Sequence, residues 1–546
     1  MQKYSVSEEK FALWVFLFVI GFISCYWYFA FDGFYFFDDT AYSRYAWEAT
    51  QGIFSLKQND IFAHRLGVYL PVSVIYSITG IADCSTVFWP LLVFLAGAAF
   101  LFFGLRRYST TIALYALVIA SLNFYPVFFS NKLYPDPVVA FFTLAATFVL
   151  WKAISQQESN TFFQAFAFTA LLFSAFLTKE TVLFYAPFYL IVLIADLKNK
   201  RNLKFWGYST ALGLMLLAVY FTSYYIQTGD AFYRFKVIQD GHYVFALSYY
   251  QKPFVEIIPR LTYEPLLMFL SSELAIPFII ALPLLFSFKV KELLNLNEFE
   301  NFWKVLCLVL LLMLWYCSTS IKFYNPLSLQ PRMYLLMVPP LSIVAATALA
   351  RANNKRIIFY GVTFAFSAAL SYFLHINSYA VYALLAVYFA ALFFFNSKGI
   401  QYKLIPLLLI LLIHPLYSML KPTDTDYKNE KEAVTNFLMD NKGNNLVLVD
   451  DQLYSGYPYY YKFIANLHYQ YLSYKKGIPA NYKGAIFVLV NKKTFNYYAI
   501  LGDAMPAFAL KKPTAWITVF EKGDVVLYKV RSRGDFYNYK LNNNEN

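Results

Sequence analysis

Charged residues are scarce in this chain. Asp, Glu, Lys and Arg make up 14% of its 546 residues, where a soluble domain carries about a quarter, and the deficit excludes an ordinary soluble fold. Cysteine is nearly absent as well. Cys25, Cys307 and Cys317 fall within apolar segments and Cys84 stands apart, so no disulfide framework is implied. With five histidines the chain shows no His/Cys spacing suited to a metal and no glycine-rich phosphate loop. No internal repeat is visible. The net charge of +13 is spread over short loops between apolar runs, which fits membrane orientation and excludes nucleic acid as the partner.

What the chain has instead is apolar length. Hydrophobic residues make up 59% and aromatic residues 21%, and runs long enough to cross a ~30 Å hydrocarbon core recur from Phe11 to about Leu420. The first, 11–30, is too long and too aromatic for a signal peptide and lacks a small-residue cleavage site, so it reads as a retained helix. Further spans are expected near 86–105, 110–130, 137–155, 162–177, 180–196, 205–226, 264–288, 303–320, 333–350, 356–375, 379–395 and 403–420. With the N-terminus cytoplasmic, the inner loops receive Arg106 and Arg107, Lys152, the Lys198–Lys204 cluster, Lys289, Lys291 and Lys304, Arg351, Lys355 and Arg356, and Lys398 and Lys403. This is the positive-inside pattern. The segment Leu66–Ile81 is apolar but short. Counting it as a crossing would invert that pattern, so it reads as a juxtamembrane helix on the outer face.

The sequence therefore predicts a polytopic α-helical membrane protein with about thirteen crossings, residues 1–420, whose first outer loop, 31–85, carries juxtamembrane helices. From Lys421 the composition changes. "EAVTNFLMDNKG" reads as an amphipathic helix ended by glycine, "NLVLVDD" and "AIFVLVN" as buried strands, and "AWITVFEKGDVVLYKV" as a hairpin turning at Lys522-Gly523. Residues 421–546 form a compact α/β domain on the outer, extracytoplasmic side.

The outer face gathers what little charge there is. Asp38 and Asp39 open the first outer loop, either as a solvated collar or as part of an active site. His64 and Arg65 follow, a pair that also suits a lipid headgroup anchor. Asp136 lies between prolines in "YPDPVV", where a helix N-cap is the simpler reading. Lys179 and Glu180 interrupt the apolar stretch 162–194 and form either a tight turn or a functional break. Arg332 follows Pro331. Three cations, Arg65, Lys179 and Arg332, thus share a face with three aspartates. A lipid-linked phosphate needs such cations, and a hydroxyl acceptor needs a carboxylate to position or deprotonate it. His375 and His414, near helix ends, read as structural. The tyrosine-rich stretch 454–474 reads as a packing surface, with sugar stacking as the alternative.

Taken in order, "FDDTAY", "AHRLGVYLP", "LYPDPVVAFFTLAATFVLWKA", "FLTKETVLFYAP" and "PRMYLLMVPPL" resemble the GT-C membrane glycosyltransferases of the protein O-mannosyltransferase superfamily. In pattern they are most similar to bacterial lipid A aminoarabinose transferases. The likeness covers about residues 10–350, and the outer C-terminal domain matches the general layout. It implies transfer of a sugar from a polyprenyl-phosphate donor to a hydroxyl of a protein, lipid A or glycan acceptor, in the cell (inner or plasma) membrane and on its non-cytoplasmic side. It also implies Asp38 as the catalytic acid, with Tyr42 four residues on and Asp39 second, and Asp136 as a further important acid. Arg65, Lys179 and Arg332 would contact the donor phosphate, with Tyr42, His64 and Glu180 beside the substrate. His64-Arg65 stands where relatives carry Glu-Lys or His-Pro, and Glu180 where some have glycine. No cofactor is implied with certainty, and a divalent metal stays open. Two rival readings remain. A transporter or flippase of lipid-linked sugars would also carry intramembrane charge, though with repeats. An O-antigen ligase-type transferase would concentrate arginines in a late outer loop, here 227–263 with Arg234, His242 and Arg260.

Overall fold

The computed structural model describes residues 6–34, 37–155, 160–241, 248–250, 252–287, 295–395, 399–421, 425–438, 445–464, 469–500, 506–510 and 513–541. His242 lies outside them, as do residues 439–443 of the expected amphipathic helix. The chain is a multi-pass α-helical membrane protein with a small C-terminal sheet domain. It divides into two compact units, one of residues 1–30, 55–68 and 88–420, the other of 31–54, 69–87 and 421–546.

The first unit holds the membrane helices. Among the described residues ten helices are long and apolar enough to cross a bilayer, or eleven if one bent pair is a single span. Ten of the thirteen expected segments correspond to these ten helices. Three fall short of a straight crossing, each for a local reason. Helix Thr110–Ser121, capped by the Ser109 hydroxyl accepting from the Ile112 amide, ends before Asn123, and the chain turns by 65° into 124–131. Segment 264–288 splits into Glu264–Ser271 and Ala275–Leu285, because Glu273 takes a left-handed backbone at φ +59°. Helix Tyr379–Phe395 is 17 residues long.

The first two breaks are joined. The Asn123 amide donates to the Glu273 carbonyl at 3.0 Å. The buried Glu273 carboxylate lies 2.8 Å from His414 Nδ1, and the His414 ring stacks on Phe124 at 3.7 Å with planes 2° apart. His414 therefore has a structural partner, and Glu273 is a buried carboxylate that its apolar surroundings concealed in the sequence.

The second unit contains helix α2 (Phe37–Thr50) and a five-stranded sheet, with β1 (Asn445–Val449), β2 (Tyr469–Ser473), β3 (Ala485–Asn491), β4 (Ile517–Lys522) and β5 (Val525–Val530). Strand order is β2-β1-β3-β5-β4, with β1 parallel to β2 and β3, and β5 antiparallel to β3 and β4. The pleat sends Val447, Val449, Phe487 and Leu489 to one core, and Leu446, Leu448, Ile486, Val488 and Val490 to the other. A sheet covered on both faces explains why β1 and β3 read as continuous apolar runs rather than alternating ones. The expected hairpin turns at Gly523. The helix expected from residue 432 begins earlier, as Tyr427–Glu432, and continues as a π-helical turn over Ala433–Leu438.

One carboxylate in this unit is held without a cation. Glu430 accepts from the Tyr460 hydroxyl at 2.6 Å and the Asn491 amide at 2.8 Å. Burial, and then the nearby Asp450, push its pKa from 4.5 up to about 7. The folded state thus holds a proton that the unfolded state releases at lower pH, so this contribution to stability is full below about pH 4.5 and is lost as pH rises through about 7. Between pH 5 and 8 the melting temperature of the wild-type protein should fall relative to that of Glu430→Gln, whose slope lacks this titration. Parallel curves in a pH-resolved thermal scan would refute the assignment.

Candidate active site

In the first unit the predicted charged residues of the cluster stand where helices begin or end. Asp136 lies in the first turn of helix Pro135–Ser155. There the flanking prolines cost no backbone hydrogen bond and a carboxylate favours the positive end of the helix dipole. Lys179 follows helix Thr161–Thr178 in extended conformation, at φ −159° and ψ 144°, before a 3₁₀ stretch Glu180–Tyr185. Arg65 ends the 3₁₀ turn Ile61–His64, itself capped by Asp60. Arg332 opens a 3₁₀ stretch that starts at Pro331.

These interruptions bring five charges together. Lys179 Nζ donates to Asp136 Oδ1 at 2.5 Å, and both residues are only 1% exposed. Arg332 Nη1 is 3.8 Å from the other carboxylate oxygen, Oδ2. Arg65 Nη2 donates to Glu180 Oε1 at 3.1 Å. Three cations and two carboxylates thus meet in one place, and Asp136 is shared by two of the cations. Such a cluster favours an anion.

Residues not singled out from the sequence hold these cations in place. The Arg332 guanidinium lies over the Tyr134 ring, 4.7 Å from its centroid, and donates through Nε to Gln330 at 2.9 Å. Lys179 Nζ also contacts the Met333 sulfur at 3.1 Å. Gly67 permits a close approach, since a Cβ there would lie 3.0 Å from the Thr178 amide nitrogen and 3.1 Å from the Ser174 carbonyl. Any larger residue would drive the Arg65 turn off the end of the helix that precedes Lys179. The position of Gly67 two residues after Arg65 is the one sequence cue to this.

His64 is fully buried, and both ring nitrogens have protein partners. Nε2 is 3.0 Å from the Gln58 carbonyl and Nδ1 is 3.0 Å from the Tyr224 hydroxyl. A carbonyl only accepts, so the proton sits on Nε2 and Tyr224 donates to Nδ1. Burial pushes the pKa down to about 4, with the Arg234 cation adding to it. His64 is thus a neutral strut for the Arg65 turn. Arg234 is buried and donates to the Phe176 carbonyl at 2.8 Å and the Tyr220 hydroxyl at 3.3 Å. Arg260 is fully buried and donates to the carbonyls of Leu314, Trp315 and Leu327. The latter arginine therefore serves the end of helix Phe299–Tyr316.

In the second unit, Asp38 and Asp39 occupy the first turn of α2. Asp39 and Tyr42 are fully buried, whereas Asp38 is half-buried. Of the acid pair, Asp38 is the member whose side chain solvent can reach. Among the described residues no three of His, Cys, Asp and Glu stand close enough to hold a metal ion.

The fold is that of a solved membrane protein. The chain is similar to the crystal structure of ArnT from Cupriavidus metallidurans in the apo state, with a TM-score of 0.57 over 94% of this chain and 97% of that one, at 13% identity. It is similar also to the same protein bound to undecaprenyl phosphate, with a TM-score of 0.55 over 95% and 98% of the two chains, again at 13% identity. No protein-family model and no curated protein sequence matches the chain.

The buried pair makes a thermodynamic prediction. Removing one partner of a buried ion pair costs ~3–5 kcal/mol, because the other charge is left uncompensated. Asp136→Ala should therefore lower the thermal stability of the detergent-solubilised protein sharply. Adding Lys179→Met should restore much of the loss, since the stranded ammonium is gone. If the double variant melts below Asp136→Ala, the two charges do not compensate each other.

Proposed function

We propose that this protein is a GT-C-type glycosyltransferase that moves a sugar from a polyprenyl-phosphate-linked donor to a hydroxyl acceptor on the non-cytoplasmic side of the cell (inner or plasma) membrane. The observation that carries this reading is the largely buried cluster in which Arg65, Lys179 and Arg332 gather on Asp136 and Glu180 at the breaks of apolar helices. A fold similar to ArnT, one of whose structures holds undecaprenyl phosphate, supports the choice of anion. Residues 1–420 would form the membrane-embedded catalytic part and 421–546 the extracytoplasmic domain.

In this reading the three cations bind the donor phosphate. As the anomeric carbon–oxygen bond breaks, charge grows on the phosphate, and fixed cations stabilise that charge without reorganising. Asp136 keeps Lys179 and Arg332 charged and aimed, and Glu180 does the same for Arg65. Asp38 accepts the proton of the attacking acceptor hydroxyl. The acceptor oxygen bonds to the anomeric carbon, polyprenyl phosphate departs, and the anomeric centre inverts in the single displacement. Asp39, buried behind Asp38, and Tyr42 support the helix rather than meet substrate. Protein, lipid A and glycan hydroxyls all suit this chemistry.

Loss of a charged partner from a desolvated phosphate typically costs ~2–5 kcal/mol. Arg65→Ala and Lys179→Ala should each weaken binding of a short-chain polyprenyl-phosphate donor roughly tenfold or more. Arg65→Lys should recover only part, lacking the guanidinium fork. Asp38→Asn should abolish transfer yet bind donor normally, and Asp39→Asn should cost less. Unchanged donor affinity in both alanine variants would sink the phosphate assignment. A separate test addresses sidedness. A cysteine introduced by Asn544→Cys should react with an impermeant maleimide in intact spheroplasts, and reaction only after lysis would put the C-terminal domain in the cytoplasm.

A further inference from the structure

Helix α2, which carries the acid pair, belongs to the same compact unit as the C-terminal domain. The contacts within that unit are specific. Gly456, on the helix Asp451–Tyr460, faces Thr40, the residue after Asp39. A Cβ on Gly456 would already lie 3.4 Å from Thr40 Cγ2 and 3.5 Å from its hydroxyl oxygen, so the two helices touch with no room for a longer side chain. The Thr40 hydroxyl is itself committed, donating to the Phe37 carbonyl at 2.9 Å.

The segment entering α2 is bedded partly on the same tyrosine-rich stretch and partly on Thr425 and Tyr427. Phe34 stands edge-on to Tyr459 at 4.6 Å and to Tyr427 at 5.3 Å, and its carbonyl accepts from the Thr425 hydroxyl at 3.3 Å. Those two tyrosines are fixed in turn, since both donate to Asp83 Oδ1, at 3.0 and 3.1 Å. Toward the other end of α2, Trp47 stacks on Phe463 at 5.3 Å. Phe463 adopts φ +60°, a left-handed conformation costly for a bulky side chain. The same ring stands edge-on to Tyr459 at 6.0 Å, so the strained residue ties α2 to the tyrosine beneath Phe34. Thus α2 is gripped before, within and near the end of its length by residues between 425 and 463.

We propose that the C-terminal domain is the positioning element of the acid pair, with Gly456 and Thr40 as the positioning residues that set the height of α2. The tyrosine-rich stretch is its bed rather than a sugar platform. This inference rests on the proposed role of Asp38 in transfer. A displaced α2 lowers turnover, while the cations at Arg65, Lys179 and Arg332 still take the donor.

The test is a size exchange in the full-length protein. Gly456→Val introduces two methyl groups against Thr40, and Thr40→Ala removes one methyl and the hydroxyl. In Gly456→Val, kcat should fall at least tenfold with donor Kd within about twofold of wild type. Amides of residues 37–50 should exchange hydrogen faster. Adding Thr40→Ala should recover both kcat and protection. Unchanged kcat in Gly456→Val overturns the inference, and so does a joint loss of kcat and donor binding that Thr40→Ala does not relieve, because that is general unfolding. The exchange readout is independent of activity. If Asp38→Asn still turns over, the catalytic reading fails whatever α2 does. If α2 loosens while kcat holds, the positioning inference fails and the catalytic reading stands.

Discussion

A lysine ammonium and an aspartate carboxylate 2.5 Å apart, each 1% exposed, set the terms for the rest of the membrane unit. Neither charge is tolerable alone in such a setting. The desolvation penalty is several kcal/mol per ion, and only a close partner offsets it. The pair can form only if helix Thr161–Thr178 ends before Lys179 and helix Pro135–Ser155 begins at Asp136, so the ends of both helices are dictated by one contact. Arg332 approaches the second oxygen of the same carboxylate, and Arg65 reaches Glu180, the neighbour of Lys179. The interruptions in otherwise apolar segments are therefore a connected set.

The same logic recurs away from the cluster. Glu273 breaks one apolar segment and Asn123 bends another. The two are tied by a hydrogen bond and by the His414 ring that pairs with the first and stacks on Phe124 beside the second. There, as in the Asp136 cluster, polar side chains at helix breaks meet one another across the fold.

Much of this was legible in the sequence, and the remainder was hidden for definite reasons. Apolar length located the ten long apolar helices found among the described residues, because hydrocarbon thickness and the cost of charge act on local segments. β1, β3 and the β4–β5 hairpin were legible because each carries its own pattern. β2, Tyr469–Ser473, was not, since its tyrosines made it read as part of a surface stretch. The break at Lys179–Glu180 was visible, but its partners were not. No spacing along the chain reveals that Lys179 meets Asp136 or that Arg65 meets Glu180. His64 read as a substrate neighbour because its burial and its two hydrogen-bond partners are tertiary facts. Glu273 escaped notice because one acid in a long apolar run resembles a loop residue.

The second unit is assembled from segments at opposite ends of the chain, 31–54, 69–87 and 421–546. A ribosome adds about 5–20 residues per second, so the bed for α2 is finished roughly 20–80 s after the helix itself has been made. During that interval the helix with the acid pair has none of its C-terminal contacts, while the long apolar segments are already made. A chain cut short before residue 421 would carry the long apolar segments and α2, but none of the contacts that α2 makes with residues 425–463.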